Sequence, residues 1–107
     1  MPARVDEYFS NLNSKKLNLN YTIAGKADNI APLKVFDDGH ETSFMFKNKN
    51  LIIPSISAVD IFGTETALTY VIRDEFVVVS SIEMQFTFRL ADSLLCVFNN
   101  DLVSGGQ

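Results

Sequence analysis

The stretch "EMQFTFRL", residues 83 to 90, sets Met84, Phe86, Phe88 and Leu90 at every second position with Gln85, Thr87 and Arg89 between them. A period of two places the apolar side chains on one face of an extended strand, because successive side chains point to opposite sides of a sheet. The same period runs through Leu17, Leu19, Tyr21 and Ile23, through residues 56–62, and through Leu68, Tyr70 and Ile72. Between these runs stand turn residues: Gly25, Asp38-Gly39, Gly63, Asp74-Glu75 and Ala91-Asp92. About eight short strands, most spaced about 8 to 12 residues apart, predict an all-β chain folded as an antiparallel β-sandwich of immunoglobulin-like kind or a small barrel.

Only one segment has the helical period. Val5, Tyr8, Phe9 and Leu12 fall on one face of a short helix that needs a docking surface to be stable. The expected organisation is therefore a linker with a short helix over residues 1–16, a sandwich over 17–100 and a flexible tail over 101–107. A chain of 107 residues holds one proper core. Apolar residues at 47%, with nine phenylalanines, supply enough material to fill it. The first residues, "MPARVDEYFS", lack the basic and apolar regions of a signal peptide, and no apolar run approaches the ~20 residues that span a bilayer. The opening and the closing "SGGQ" also fit a domain taken from a longer precursor.

The stretch "VFDDGHETSFMF", residues 35 to 46, is the foothold for catalysis or metal binding. A metal needs three or four converging ligands, and the chain offers one histidine, His40, beside neighbouring carboxylates. Paired acid catalysis needs two carboxyl groups held apart across a cleft, whereas Asp37 and Asp38 are adjacent. No nucleophile elbow, phosphate loop or dinucleotide fingerprint is present. Asp-Gly between two β-rich runs reads instead as a tight turn, and no catalytic residue, cofactor or metal is expected. The net charge of −4 and the scattered basic residues argue against nucleic acid. Cys96, in the apolar run "LLCVF", reads as a structural residue.

The ordered set "YTIAG", "APLKVFDDGHETSFMF", "IPSISAVDIFGTETALTYVIRDEFVVV" and "FTFRLADSLLCVFN" resembles the C-terminal domain of the TrbG/CagX family, the ninth VirB subunit of the type IV secretion outer-membrane core complex. Tyr21, Gly25, Pro32, Asp37, Asp38, Gly39, Thr42, Phe44, Phe46, Pro54, Tyr70, Val71, Arg89, Leu90 and Asn99 carry the likeness, over about residues 17 to 100. Asp37, Asp38 and Gly39 form the family's signature turn. His40 stands where the family pattern has Arg, and Ala91 where it has Gly. The resemblance implies a non-catalytic module of a conjugation and protein-transport channel, in the periplasm and indirectly associated with the outer membrane. It implies a small secretion lipoprotein bound as an extended peptide and a VirB-ten-type channel subunit as neighbour. It also implies a homo-oligomeric ring in the full complex and a monomer when isolated.

An extended peptide adds its backbone to an open sheet edge and sets alternate side chains into apolar pockets. "FVVVSSI" and "LLCVF" are apolar on both faces, so each needs cover on both. The expected partner-binding patch is Val77, Val79, Leu95 and Val97 on the outside, with Phe76, Val78, Leu94, Cys96 and Phe98 in the core. Cover by the helix of residues 5–12 is the alternative. Arg89 is either a snorkelling surface residue or the partner of a carboxylate such as Asp60. Two other functions compete: a stand-alone immunoglobulin-like or carbohydrate-binding sandwich, and an enzyme built on Asp37 to Glu41.

Overall fold

The computed structural model describes residues 17–46 and 52–103, so the helix expected at 5–12 lies outside the described residues. Nine strands follow one another: β1 (Tyr21–Ala24), β2 (Pro32–Asp37), β3 (Thr42–Phe46), β4 (Ser55–Val59), β5 (Glu65–Ala67), β6 (Val71–Arg73), β7 (Phe76–Val79), β8 (Gln85–Leu90) and β9 (Ser93–Asn99). A 3-10 turn at Asp28–Ile30 precedes β2, and one helical turn, α1 (Asn100–Val103), follows β9 where a fraying tail was expected. The Asn99 side chain starts α1 by accepting the N–H of Asp101 at 3.2 Å.

The strands form two sheets, ordered β1-β9-β8-β4-β5 and β2-β3-β7-β6, and neighbouring strands are antiparallel throughout. The fold is an antiparallel β-sandwich. Two segments that alternate without a break turn out to change sheets. Residues 68–70 carry the chain from β5 to β6, splitting the strand expected across residues 67–73. Leu17 to Ile23 is divided likewise: Asn18 bridges to Asp37 on β2, and β1 begins at Tyr21 in the other sheet. Alternation in these two segments does not mark one inward face: Leu68 packs on the core, while Leu19, Ile23, Tyr70 and Ile72 are exposed.

The core lies between the sheets. Phe44 from β3 meets Phe86 and Phe88 from β8 edge to face, with ring centroids 5.1 and 5.0 Å apart. Ile30, Val35, Ile56, Val77, Val79, Leu95 and Val97 complete this cluster. Each such side chain contributes about 1.5–3 kcal/mol by leaving water.

This corrects the expected faces of β7 and β9. Val77, Val79, Leu95 and Val97 form no outer patch; they are at most 4% exposed and point into the core. Their cross-strand partners decide the matter: Val77 lies opposite Phe44, Leu95 opposite Phe88 and Val97 opposite Phe86. Leu94, Cys96 and Phe98, expected inside, lie on the outer face of β9, where Leu94 is exposed and the other two half-buried. Phe76 and Val78 are buried as well, but on the far side of the four-stranded sheet. There they form a second cluster with Phe36, against which Leu17 and Met45 pack. Phe36 and Phe76 meet edge to face at 5.5 Å.

Arg89 reaches Glu65, not Asp60, with Nη2 2.6 Å from one carboxylate oxygen and Nε 3.3 Å from the other. That pairing holds the Glu65 carboxyl below its ordinary range. Arg73 pairs with Glu41 at 3.0 Å. Gly25 ends β1 with φ of +129°, where an added Cβ would sit 3.1 Å from the Leu94 carbonyl oxygen and 3.2 Å from Leu95 Cδ1.

Candidate functional site

Asp37 ends β2 in register with Thr42, and Thr42 with the core residue Val79, so its carboxylate enters the space between the sheets. It is 5% exposed. Three donors hold it: Tyr21 Oη at 2.6 Å and Asn18 Nδ2 at 3.0 Å on one oxygen, and the Gly39 N–H at 3.0 Å on the other. Asn18 Nδ2 also donates to Asn99 Oδ1 at 2.9 Å. This cluster fastens the edge of one sheet to the edge of the other. Burial, and next the bond to the Asp37 carboxylate, push the Tyr21 phenol well above its ordinary range.

The neighbouring turn uses different groups. Asp38 Oδ1 accepts the N–H of His40 at 2.9 Å and of Glu41 at 2.8 Å, and the Asp38 N–H donates to the Glu41 carbonyl at 3.2 Å. Gly39 supplies the positive φ, +91°. Asp38 thus serves as an acceptor for the turn backbone, Glu41 pairs with Arg73, and His40 is exposed. Sequence reasoning treated Asp37, Asp38 and Gly39 as one turn. It missed that Asp37 belongs to an inter-sheet clasp with Asn18, Tyr21 and Asn99.

The clasp stands at one end of a groove between the edges of β1 and β2. The groove has a volume of about 460 Å³ and is lined by Leu19, Tyr21, Ile23, Leu33, Lys34 and Val35, among others. It is apolar and accessible: Leu19 is 67%, Leu33 58% and Ile23 39% exposed. Val77, Val79, Leu95 and Val97 take no part in its lining.

Both rims are strand edges. Among the described residues, β1 pairs only with β9, and β2 has β3 on one side and the single Asn18 bridge on the other. The Asn99 N–H donates to Met84, on the side away from β1, and the Asn100 N–H donates to Asn20 on the β1 side. Alternation along the pair then aims Thr22 and Ala24 at β9 and the N–H and C=O of Ile23 off the open edge. On β2, Asp37 directs both backbone groups toward Asn18, and Val35, two residues earlier, directs its own the same way. Two short rows of backbone donors and acceptors therefore face each other across an apolar floor.

Residues 2–100 match the family model for CagX, conjugal transfer protein. The chain belongs to the CagX family. This CagX-family domain is similar to the type IV secretion system protein virB9 of Bartonella quintana, 38% identical over 77 residues that make up 72% of the chain and 26% of that relative. It is also similar to protein virB9 of Agrobacterium fabrum, 34% identical over 82 residues, 77% of the chain and 27% of the relative. With protein virB9 of Agrobacterium tumefaciens it shares 30% identity over 95 residues, 89% of the chain and 32% of the relative. The CagX-family domain thus spans about a quarter to a third of the length of these curated relatives.

Proposed function

We propose that this domain is a non-catalytic structural and interaction module of a type IV secretion outer-membrane core complex, and that the groove between β1 and β2 takes an extended peptide from a small secretion lipoprotein. The observation that carries the reading is the pair of open strand edges over an apolar floor. A strand laid along β1 meets the free N–H and C=O of Ile23 and sets alternate side chains toward Leu33 and Val35. Membership of the CagX family and the likeness to virB9 relatives support the secretion role. No helix among the described residues is long and apolar enough to cross a membrane. The reading places the domain in the periplasm, held to the outer membrane through its lipoprotein and beside a VirB-ten-type channel subunit in the assembled ring.

The test is an amide NMR titration with the mature N-terminal peptide of the small lipoprotein. Saturable shifts along residues 19–24 and 33–36, with slowed exchange of the Ile23 amide, are the expected result. Ile23→Lys and Leu33→Lys, both at exposed positions, should leave the thermal midpoint nearly unchanged and weaken the peptide at least tenfold. Shifts confined to the outer face of β9, or a spectrum that does not respond, would refute the groove.

A further inference from the structure

The turn between β4 and β5 exposes the two most accessible large apolar side chains among the described residues, Ile61 at 74% and Phe62 at 84%. Single exposed apolar residues are ordinary. These two are adjacent, and the backbone that presents them is fixed by four hydrogen bonds. Asp60 Oδ1 accepts the N–H of Phe62 and of Thr64, each at 2.9 Å. The Asp60 N–H donates to the Thr64 carbonyl at 3.1 Å, and the Gly63 N–H to the Asp60 carbonyl at 3.0 Å. Much of the ordering that a flexible loop would undergo on binding is therefore complete in the free protein.

The surroundings define the complement. β4 and β9 run to the same end of the sandwich, where Asp37, Tyr21 and Asn99 also meet. The loops gathered there are residues 38–41, 60–64 and 80–84, together with α1. They carry Asp38, Glu41, Asp60, Glu83 and Asp101 and no lysine or arginine of their own; Arg73 from β6 reaches in to pair with Glu41, which leaves the end net acidic. Leu102, also at this end, is 49% exposed. An apolar knob in an acidic field fits a recess with apolar walls and a basic rim. It is ill-suited to a bilayer surface, whose anionic headgroups would repel the same carboxylates.

We propose that the Ile61–Phe62 turn is a preformed plug for an apolar pocket rimmed by lysine or arginine on another protein, an interface separate from the peptide groove. The separation follows from strand order: β1 and β5 are opposite edges of the five-stranded sheet, four strand spacings or about 19 Å apart. A domain with a peptide on one edge and a plug on the other joins two neighbours at once. Phe62 is the anchor, since aromatic side chains that fill pockets dominate interface energetics.

The test replaces Phe62 with the photo-crosslinking residue p-benzoylphenylalanine in the full-length protein, in cells that assemble the secretion complex. The expected result is one discrete protein adduct whose cross-linked segment is apolar and flanked by Lys or Arg. Its yield should fall at least fivefold when Glu83→Lys and Asp101→Lys are combined with the probe. With that protein purified, Phe62→Ser should weaken binding at least tenfold, with the thermal midpoint and the peptide titration unchanged. The proposal is overturned by an adduct with phospholipid or with another copy of this chain, or by a yield indifferent to the charge reversals. It is equally overturned if position 62 gives no adduct in cells where a probe at Ile23 does.

Discussion

Tyr21 donates its hydroxyl to a carboxylate sealed between the sheets, so ionising the phenol would set two negative charges together out of water. The folded-state pKa of Tyr21 is therefore raised above the unfolded value of about 10. At higher pH the unfolded chain gives up this proton while the folded chain keeps it. Stability from the Tyr21–Asp37 contact is complete below pH ~10 and declines as pH rises above it. Urea unfolding from pH 8 to 11 should show that decline, and Tyr21→Phe should make it shallower. Asp37→Ala strands three donors at once, from Tyr21, Asn18 and Gly39. Its cost should be about 2–4 kcal/mol in the same assay. Ala91 has φ of +53°, a conformation that disfavours any residue with a Cβ. Ala91→Gly should raise stability by about 1 kcal/mol, less the added freedom of the unfolded chain. The positive φ of Ala91 is thus a small local strain.

Strands β7 and β9 were evident in the sequence as elements, but their phase was not. When every position is apolar, alternation carries no information, and only the cross-strand partners show which side faces in. Val77 and Leu95 take their direction from Phe44 and Phe88, which are far away in sequence and close in the sheets. Leu95→Ala should therefore cost about 2–5 kcal/mol in equilibrium unfolding. Val77→Lys should abolish the cooperative transition, since it puts an unpaired charge in the core. Leu94→Lys, one residue from Leu95 but on the exposed face, should stay within about 0.5 kcal/mol. The strict alternation of β8 puts Phe86 and Phe88 on one face from the sequence alone, and the structure turns that face inward, whereas the sheet changes at residues 18–21 and 68–70 left no mark on the pattern. The groove was illegible for a related reason. Its rims come from different sheets, so no single segment carries its signature, and Asn18 and Tyr21 read as ordinary strand residues until the fold sets Asp37 beside them.

Across the whole molecule, the sheet order joins β1 to β9, so residues near the start of the described chain pair with residues near its end. Contacts this distant form late, and stopped-flow refolding should fall in the millisecond-to-second range of β-sandwiches, with β1 docking after the other strands. The same order fixes how the domain bears load. The chain enters β1 beside Asn99 and leaves β9 at that residue, so both tethers emerge from one end. Tension between them does not shear the ladder, which would load every rung together; it peels the rungs in sequence, beginning with the bonds from Asn18 to Asp37 and Asn99 and those from Asn20 to Asn100 and Asp101. The buried clasp is thus the first catch of a zipper, and the force needed to open the domain is set by that catch.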